Sequence, residues 1–190
     1  MILSKENSFE TIIEKLTNNE VVIVPCDTIY GILGKSPVTD FKIREIKGRG
    51  ESKPFLHLIS SVIQFNKLSV IPFPKNLEEF WPGPLTVVTT VKQGGTIAYR
   101  LPADRFLQDI VSHMESPLYS TSVNLSGQKH LWKINEIIEK FEAKVDLIVD
   151  GGDLEGREPS TVIDITSFPY KIIRQGALHL PQDLVINTNL

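Results

Sequence analysis

Residues 21–25, VVIVP, with the CDTIYG that follows at 26–31, decide the fold class. Val21, Val22, Ile23 and Val24 are β-branched, stiff at χ1 and suited to a pleated surface. No polar residue alternates with them, so the run reads as a strand buried on both faces. Pro25 ends it, because a proline cannot donate to the ladder. Upstream, Phe9, Ile12, Ile13 and Leu16 fall at i, i+3, i+4 and i+7, which predicts an amphipathic helix over 8–18. Downstream, a helix is expected over 39–47, with Thr39 or Asp40 as its cap.

The rest of the chain extends this alternation. FLHLI (55–59) reads as a strand, a short helix follows over 61–68, and PKNLEEFW (74–81) gives one or two helical turns stopped by PGP. LTVVTTV (85–91) and TIAYRL (96–101) flank KQGG and predict a hairpin. Phe106, Leu107, Ile110, Val111 and Met114 predict a helix over 103–115, and Ile134, Ile137, Ile138 and Phe141 predict another. DLIVD (146–150), STVIDIT (160–166) and YKIIRQ (170–175) close as strands. Helices interleave with strands early and hairpins come later, so residues 1–190 read as a single α/β domain with a mixed sheet. There is no repeat and no low-complexity linker.

Composition narrows the function classes. Hydrophobic residues at 41% and charged residues at 23% suit a globular protein. The formal charge of −3 gives no global basic field for nucleic acid. No apolar run is long enough for a membrane span, and MILSKENSFE lacks a signal-peptide layout. One cysteine, Cys26, cannot form an internal disulfide, so a cytoplasmic location is expected. His57, His113, His130 and His179 fall at no metal-ligand spacing.

Several stretches could carry chemistry. In CDTIYG, Asp27, Thr28 and Tyr30 sit at the carboxyl end of the first strand, where open sheets bind ligands. An Asp-Thr turn with a packed tyrosine is the plain alternative. Cys26 as a nucleophile would need a base, and no histidine lies near it in sequence. GILGKS (31–36) imitates a phosphate-binding loop, but with Gly34-Lys35-Ser36 fixed the first glycine should stand at 29, which is Ile29. Pro37 and Val38 then occupy the start of the required helix, so the imitation fails on spacing.

KIREIKGRGESK (42–53) carries Lys42, Arg44, Lys47, Arg49 and Lys53 against Glu45 and Glu51. A solvated helix face explains most of it. Lys47 and Arg49, flanking a glycine beyond the expected helix end, suit phosphate groups better. WPGPLT (81–86) reads as a rigid turn into a strand. Arg100 is a cation inside a hairpin strand, Ser160 and Thr161 open a late strand, and Arg174 ends the next. STSVNLSG (120–127) gathers Ser120, Thr121, Ser122, Asn124 and Ser126 where the PLY strand is expected to give way to a loop. Many anion clamps without a triad, metal cluster or paired carboxylates fit phosphoryl or adenylyl chemistry carried by positioning.

VVIVPCDTIYG, IKGRGESKP, WPGPLTVV, YRLP, STSVNLSG, PSTVID and RQGA occur in the order and spacing of the YrdC-domain family. The resemblance covers about residues 8–178 and is to the short, single-domain form. It implies an open twisted sheet with flanking helices and a concave, positively charged groove. It also implies a nucleotidyltransferase that joins L-threonine, bicarbonate and ATP into threonylcarbamoyl-AMP and releases pyrophosphate, for N6-threonylcarbamoyladenosine in tRNA. By the family pattern, Lys47, Arg49, Ser122, Asn124 and Arg174 match ATP positions, with Lys47 and Arg49 in the catalytic role. Thr28, Arg100 and Ser160 match positions near the threonine. ATP would bring Mg2+ with it, with no protein metal site. The implied partners are the three substrates and a downstream tRNA threonylcarbamoyl transferase complex, with tRNA contact indirect or weak and no membrane.

The chain departs from the pattern in places. Cys26 stands where many members have threonine, Val123 replaces the usual alanine between Ser122 and Asn124, and YGILGKSP reshapes the first pocket. A histidine that some relatives carry would fall at Leu58. Here His57 sits one place early, so strand alternation should turn it away from the site. An RNA-binding or ribosome-maturation module is the competing class, weakened by the acidic balance and by the lack of aromatics within the basic run. A sibling enzyme using another amino acid is the third reading.

Overall fold

The computed structural model describes residues 1–50 and 54–187. Glu51 and Lys53 of the basic run lie outside the described residues. The strands are β1 (Ile2–Ser4), β2 (Val22–Val24), β3 (Gly31–Lys35), β4 (Leu56–Leu58), β5 (Leu85–Thr90) and β6 (Thr96–Arg100). They continue as β7 (Leu118–Ser122), β8 (Leu147–Asp150), β9 (Thr161–Asp164), β10 (Tyr170–Arg174) and β11 (Val185–Asn187). The helices are α1 (Phe9–Thr17), α2 (Asp40–Lys47), α3 (Val62–Leu68), α4 (Arg105–His113) and α5 (Ile134–Phe141). One open mixed sheet runs β1-β8-β2-β3-β7-β4-β6-β5-β9-β10-β11.

β2 is buried on both faces, as its unbroken apolar run requires. Ile23 and Ile32 pack with Ile43 of α2 and Ile137 and Phe141 of α5. Val22, Val24 and Leu33 pack the other way, against Ile12 and Leu16 of α1 and Leu107 and Ile110 of α4. Each such fully buried side chain contributes roughly 1.5–3 kcal/mol. A third cluster around Phe65, Trp81, Val87, Tyr99 and Ile163 closes the distal half of the sheet.

Three strands escape the sequence pattern. GILGK forms β3 in the middle of the sheet, paired with β2 and β7. Its two glycines lower strand propensity locally, but its neighbours demand them. A Cβ at Gly34 would lie 2.3 Å from Thr39 Oγ1. Edge strands β1 and β11 form by pairing parallel with β8 and β10, which no local periodicity announces. β7 also runs on through Ser122, so STS of the hydroxyl-rich stretch is strand, not loop. Thr39 does precede α2, but its hydroxyl donates to Lys35 O at 3.0 Å and does not cap the helix.

Candidate active site

Helices α1 and α4 cover Leu33, Leu58 and Leu118 on one sheet face. Beyond them the same face forms the floor of a cavity of about 420 Å3, inside the range of roughly 300–1,000 Å3 for small-molecule sites. The ladders explain the floor. Ser120, Leu56, Ala98 and Val88 are successive neighbours across β7, β4, β6 and β5. Arg100, Thr86 and Val162 form the next row, across β6, β5 and β9. Side chains two apart on a strand share a face, so these rows point into one groove. Gly31 also lines it, and a Cβ there would sit 3.0 Å from Cys26 Sγ.

Of the eight residues expected at the site, Thr28, Arg49, Arg100, Ser122, Ser160 and Arg174 line this cavity. Arg100 is 4% exposed; its Nη1 donates to Thr28 Oγ1 at 2.9 Å and its Nε to Gly83 O at 3.2 Å. Its Nη2 is ion-paired with Asp27 Oδ1 at 2.6 Å, so a buried, charge-paired guanidinium stands beside the cavity. Ser160 is buried and meets Thr86 Oγ1 at 2.8 Å. Arg174 Nη2 donates to Ser160 O at 2.7 Å. Gly176 permits this approach, because a Cβ there would fall 2.2 Å from Pro159 O.

Arg49 is placed by a reversal. Gly48 ends α2 with φ 58°, a left-handed cap that glycine adopts without a Cβ penalty. Arg49 then donates to Thr121 Oγ1 at 3.3 Å and to Pro54 O at 2.9 Å. Burial, and then the neighbouring Arg44, hold its pKa below the usual arginine value.

Lys47 and Asn124 stand behind the cavity wall. Lys47 is the last residue of α2 and only 2% exposed, not a cation on a flexible loop. Its ammonium donates to Ser122 O, to Asn124 O at 3.0 Å and to Asn124 Oδ1 at 2.8 Å. Its own carbonyl accepts from Ser126 N at 2.8 Å. Asn124 Oδ1 also accepts from Ser122 Oγ at 2.6 Å, and Asn124 Nδ2 donates to Gln128 O at 2.7 Å. Burial and then Arg49 pull the Lys47 pKa down to about 7. The three acceptors oppose this, since only the ammonium offers three N–H groups. The pair thus knits the 122–128 loop together, while Ser120, Thr121 and Ser122 line the cavity.

Other candidates are decided by geometry. Cys26 lines the cavity, but burial pushes its thiol up to about 12 and its Sγ donates to Val24 O at 3.7 Å, so it is no nucleophile. Tyr30 offers no free hydroxyl: it donates to Gly152 O at 2.8 Å and accepts from Gly151 N at 2.9 Å, bracing that loop. His57 turns from the cavity, as alternation with Leu56 requires. It lies against Tyr119 and Tyr99 at 4.8 and 5.7 Å, with Nε2 3.0 Å from Ser36 Oγ. No group of three metal-ligating side chains occurs among the described residues. Thr86, Ala98 and Phe55 line the cavity unforeseen; the alternation of LTVVTTV and TIAYRL was the signal that could have found the first two.

These features define an open mixed α/β sheet protein with a ligand-sized groove lined by three arginines. A family model, Sua5_yciO_yrdC, described as "Telomere recombination", matches residues 14–176. The chain belongs to that family. It is 32% identical over 185 residues to the threonylcarbamoyl-AMP synthase of Pyrococcus abyssi, covering 88% of this chain and 53% of that protein. With the human threonylcarbamoyl-AMP synthase it shares 30% identity over 184 residues, 86% of this chain and 65% of the relative. The chain thus spans about half the length of the archaeal relative. The structure of P. abyssi Sua5 complexed with L-threonine matches with a TM-score of 0.85 at 27% identity, over 94% of this chain and 58% of that one.

Proposed function

We propose that this groove makes threonylcarbamoyl-AMP from L-threonine, bicarbonate and ATP, releasing pyrophosphate, as a nucleotidyltransferase. The observation that carries the reading is the set of three guanidinium groups, Arg49, Arg100 and Arg174, on one cavity that no acidic residue lines among the described residues. A relative of the same fold is complexed with L-threonine. The amino-acid end lies at Arg100, Thr28 and Ser160, where the buried Arg100 guanidinium suits a carboxylate. The nucleotide end lies at Arg49, Arg174 and the Ser120–Ser122 stretch, with Lys47 and Asn124 holding the 122–128 loop in place.

The threonine ammonium gives up a proton, and the free amine then condenses with bicarbonate with loss of water, giving a carbamate. A carbamate oxygen then attacks the α-phosphorus, and the bond to the β-phosphate bridging oxygen breaks as pyrophosphate leaves. An anion attacking an anionic phosphate needs fixed positive charge more than a general base. ATP would arrive as its Mg2+ complex. The adenylate product is a reactive mixed anhydride, which suits onward transfer to tRNA by a separate transferase complex.

The test is pyrophosphate release with each substrate omitted in turn. Release should require ATP, bicarbonate and threonine together. Arg49→Ala should lower it by about 10²–10³, at matched folding. Salt-sensitive RNA retention without turnover would favour the RNA-binding reading.

A further inference from the structure

We propose that Arg44 is a positioning residue that aims Arg49 into the groove, an inference that rests on the ATP reading above. Arg44 grips the chain on both sides of Arg49. Its backbone carbonyl accepts from Arg49 N at 3.0 Å, and its Nη1 donates to Gly50 O at 2.8 Å. The other edge of the guanidinium is a fork on Asp40, with Nε 2.5 Å from Oδ2 and Nη2 3.1 Å from Oδ1. This is a planar, two-point contact that fixes the plane of the group. That plane lies over the Phe55 ring, 4.7 Å from its centroid, and the same ring carries Arg49 at 4.9 Å. Phe55 is 3% exposed and lines the cavity.

An ordinary surface ion pair one helical turn apart would involve Asp40 alone. Here the arginine side chain is only 14% exposed and its Nη1 donates to the residue after Arg49. Asp40 also answers a charge problem. Arg44 beside Arg49 disfavours the second cation, and Asp40 acts in the opposite sense. The fork thus lets two guanidinium groups share one aromatic platform, with Arg49 presented to the cavity.

The experiment uses the full chain with Arg44→Ala, Arg44→Lys, Arg49→Ala and the double alanine variant, reading kcat and the KM for ATP and for threonine. Arg44→Ala should raise the ATP KM roughly tenfold while the threonine KM stays within about twofold. If Arg44 acts through Arg49, the double variant should be no worse than Arg49→Ala alone. Lysine can meet Asp40 but cannot reach Asp40 and Gly50 as a fork. Arg44→Lys should therefore recover the melting temperature and not the ATP affinity. Additive losses in the cycle, or both KM values rising in step with a lowered melting temperature, would overturn the proposal. A wild-type chain that does not use ATP would instead defeat the functional reading. In that case the Arg49 Nε–H NMR signal, shifted by the Phe55 ring, still decides. It should lose its shift in Arg44→Ala, and an unchanged signal overturns the positioning role.

Discussion

Replacing Thr28 by valine removes one oxygen and almost no volume, which isolates what its hydroxyl does. Thr28 and Arg100 are 5% and 4% exposed, and the hydroxyl accepts from Arg100 Nη1 at 2.9 Å. Losing a hydrogen bond to a charged donor costs about 1.5–3 kcal/mol. In the free protein that loss should lower the melting temperature by about 3–12 °C, at roughly 2–4 °C per kcal/mol for a domain of this size. In turnover it should appear on the amino-acid side, because Arg100 is the cation held by Thr28. The threonine KM should rise roughly tenfold to 150-fold, and the ATP KM by less than about threefold. Thr28→Ser keeps the acceptor and should stay near wild type. The assay is pyrophosphate release at varied threonine and at varied ATP, below the melting onset of each variant. A valine variant with unchanged threonine KM, or one in which both KM values rise together, would refute the assignment of Arg100 and Thr28 to the amino acid.

Three further outcomes follow from particular residues. Cys26, with its thiol pushed up to about 12, should resist iodoacetamide in the folded protein at pH 8, and Cys26→Ser should keep most activity; rapid labelling and an inactive serine variant would contradict this. His57 is pushed down to about 4, chiefly by burial, so the unfolded chain binds the extra proton between about pH 6.5 and 4. The stability this neutral histidine contributes is complete above pH 6.5 and lost as pH falls toward 4, up to about 3 kcal/mol. Denaturant unfolding across that window should therefore be steeper in pH for wild type than for His57→Phe, and parallel curves would be evidence against it. Gly176→Ala places a Cβ 2.2 Å from Pro159 O and 2.7 Å from Ser160 C. The backbone holding Ser160 and Arg174 must then move, at about 1–3 kcal/mol, which melting and the threonine KM should both register; a variant unchanged in both would mean the approach is not as tight.

Much of this was legible because burial writes itself into periodicity. The unbroken VVIVP run announced a strand covered on both faces, and the i, i+3, i+4 apolar spacings announced helices α1, α4 and α5. The resemblance to the family likewise brought out six residues that do line one cavity, from Thr28 to Arg174. What stayed hidden depends on tertiary partners. The glycines of β3 look like a loop until Cys26 and Thr39 are seen packed against them. Lys47 and Asn124 look like ligand contacts until their polar atoms are found spent on the 122–128 loop. Tyr30 looked available until its hydroxyl proved to brace residues 151–152. Sequence shows which groups a site contains, but not which of their hydrogen bonds are already taken.

The most direct measurement of the central claim is mass spectrometry of the nucleotide product formed from ATP, L-threonine and 13C-labelled bicarbonate. The proposed reaction predicts one equivalent of pyrophosphate and an adenylate carrying threonine and a single labelled carbon, absent when threonine or bicarbonate is left out. ATP converted to products without that labelled adenylate, or no conversion by a folded wild-type chain, would contradict it.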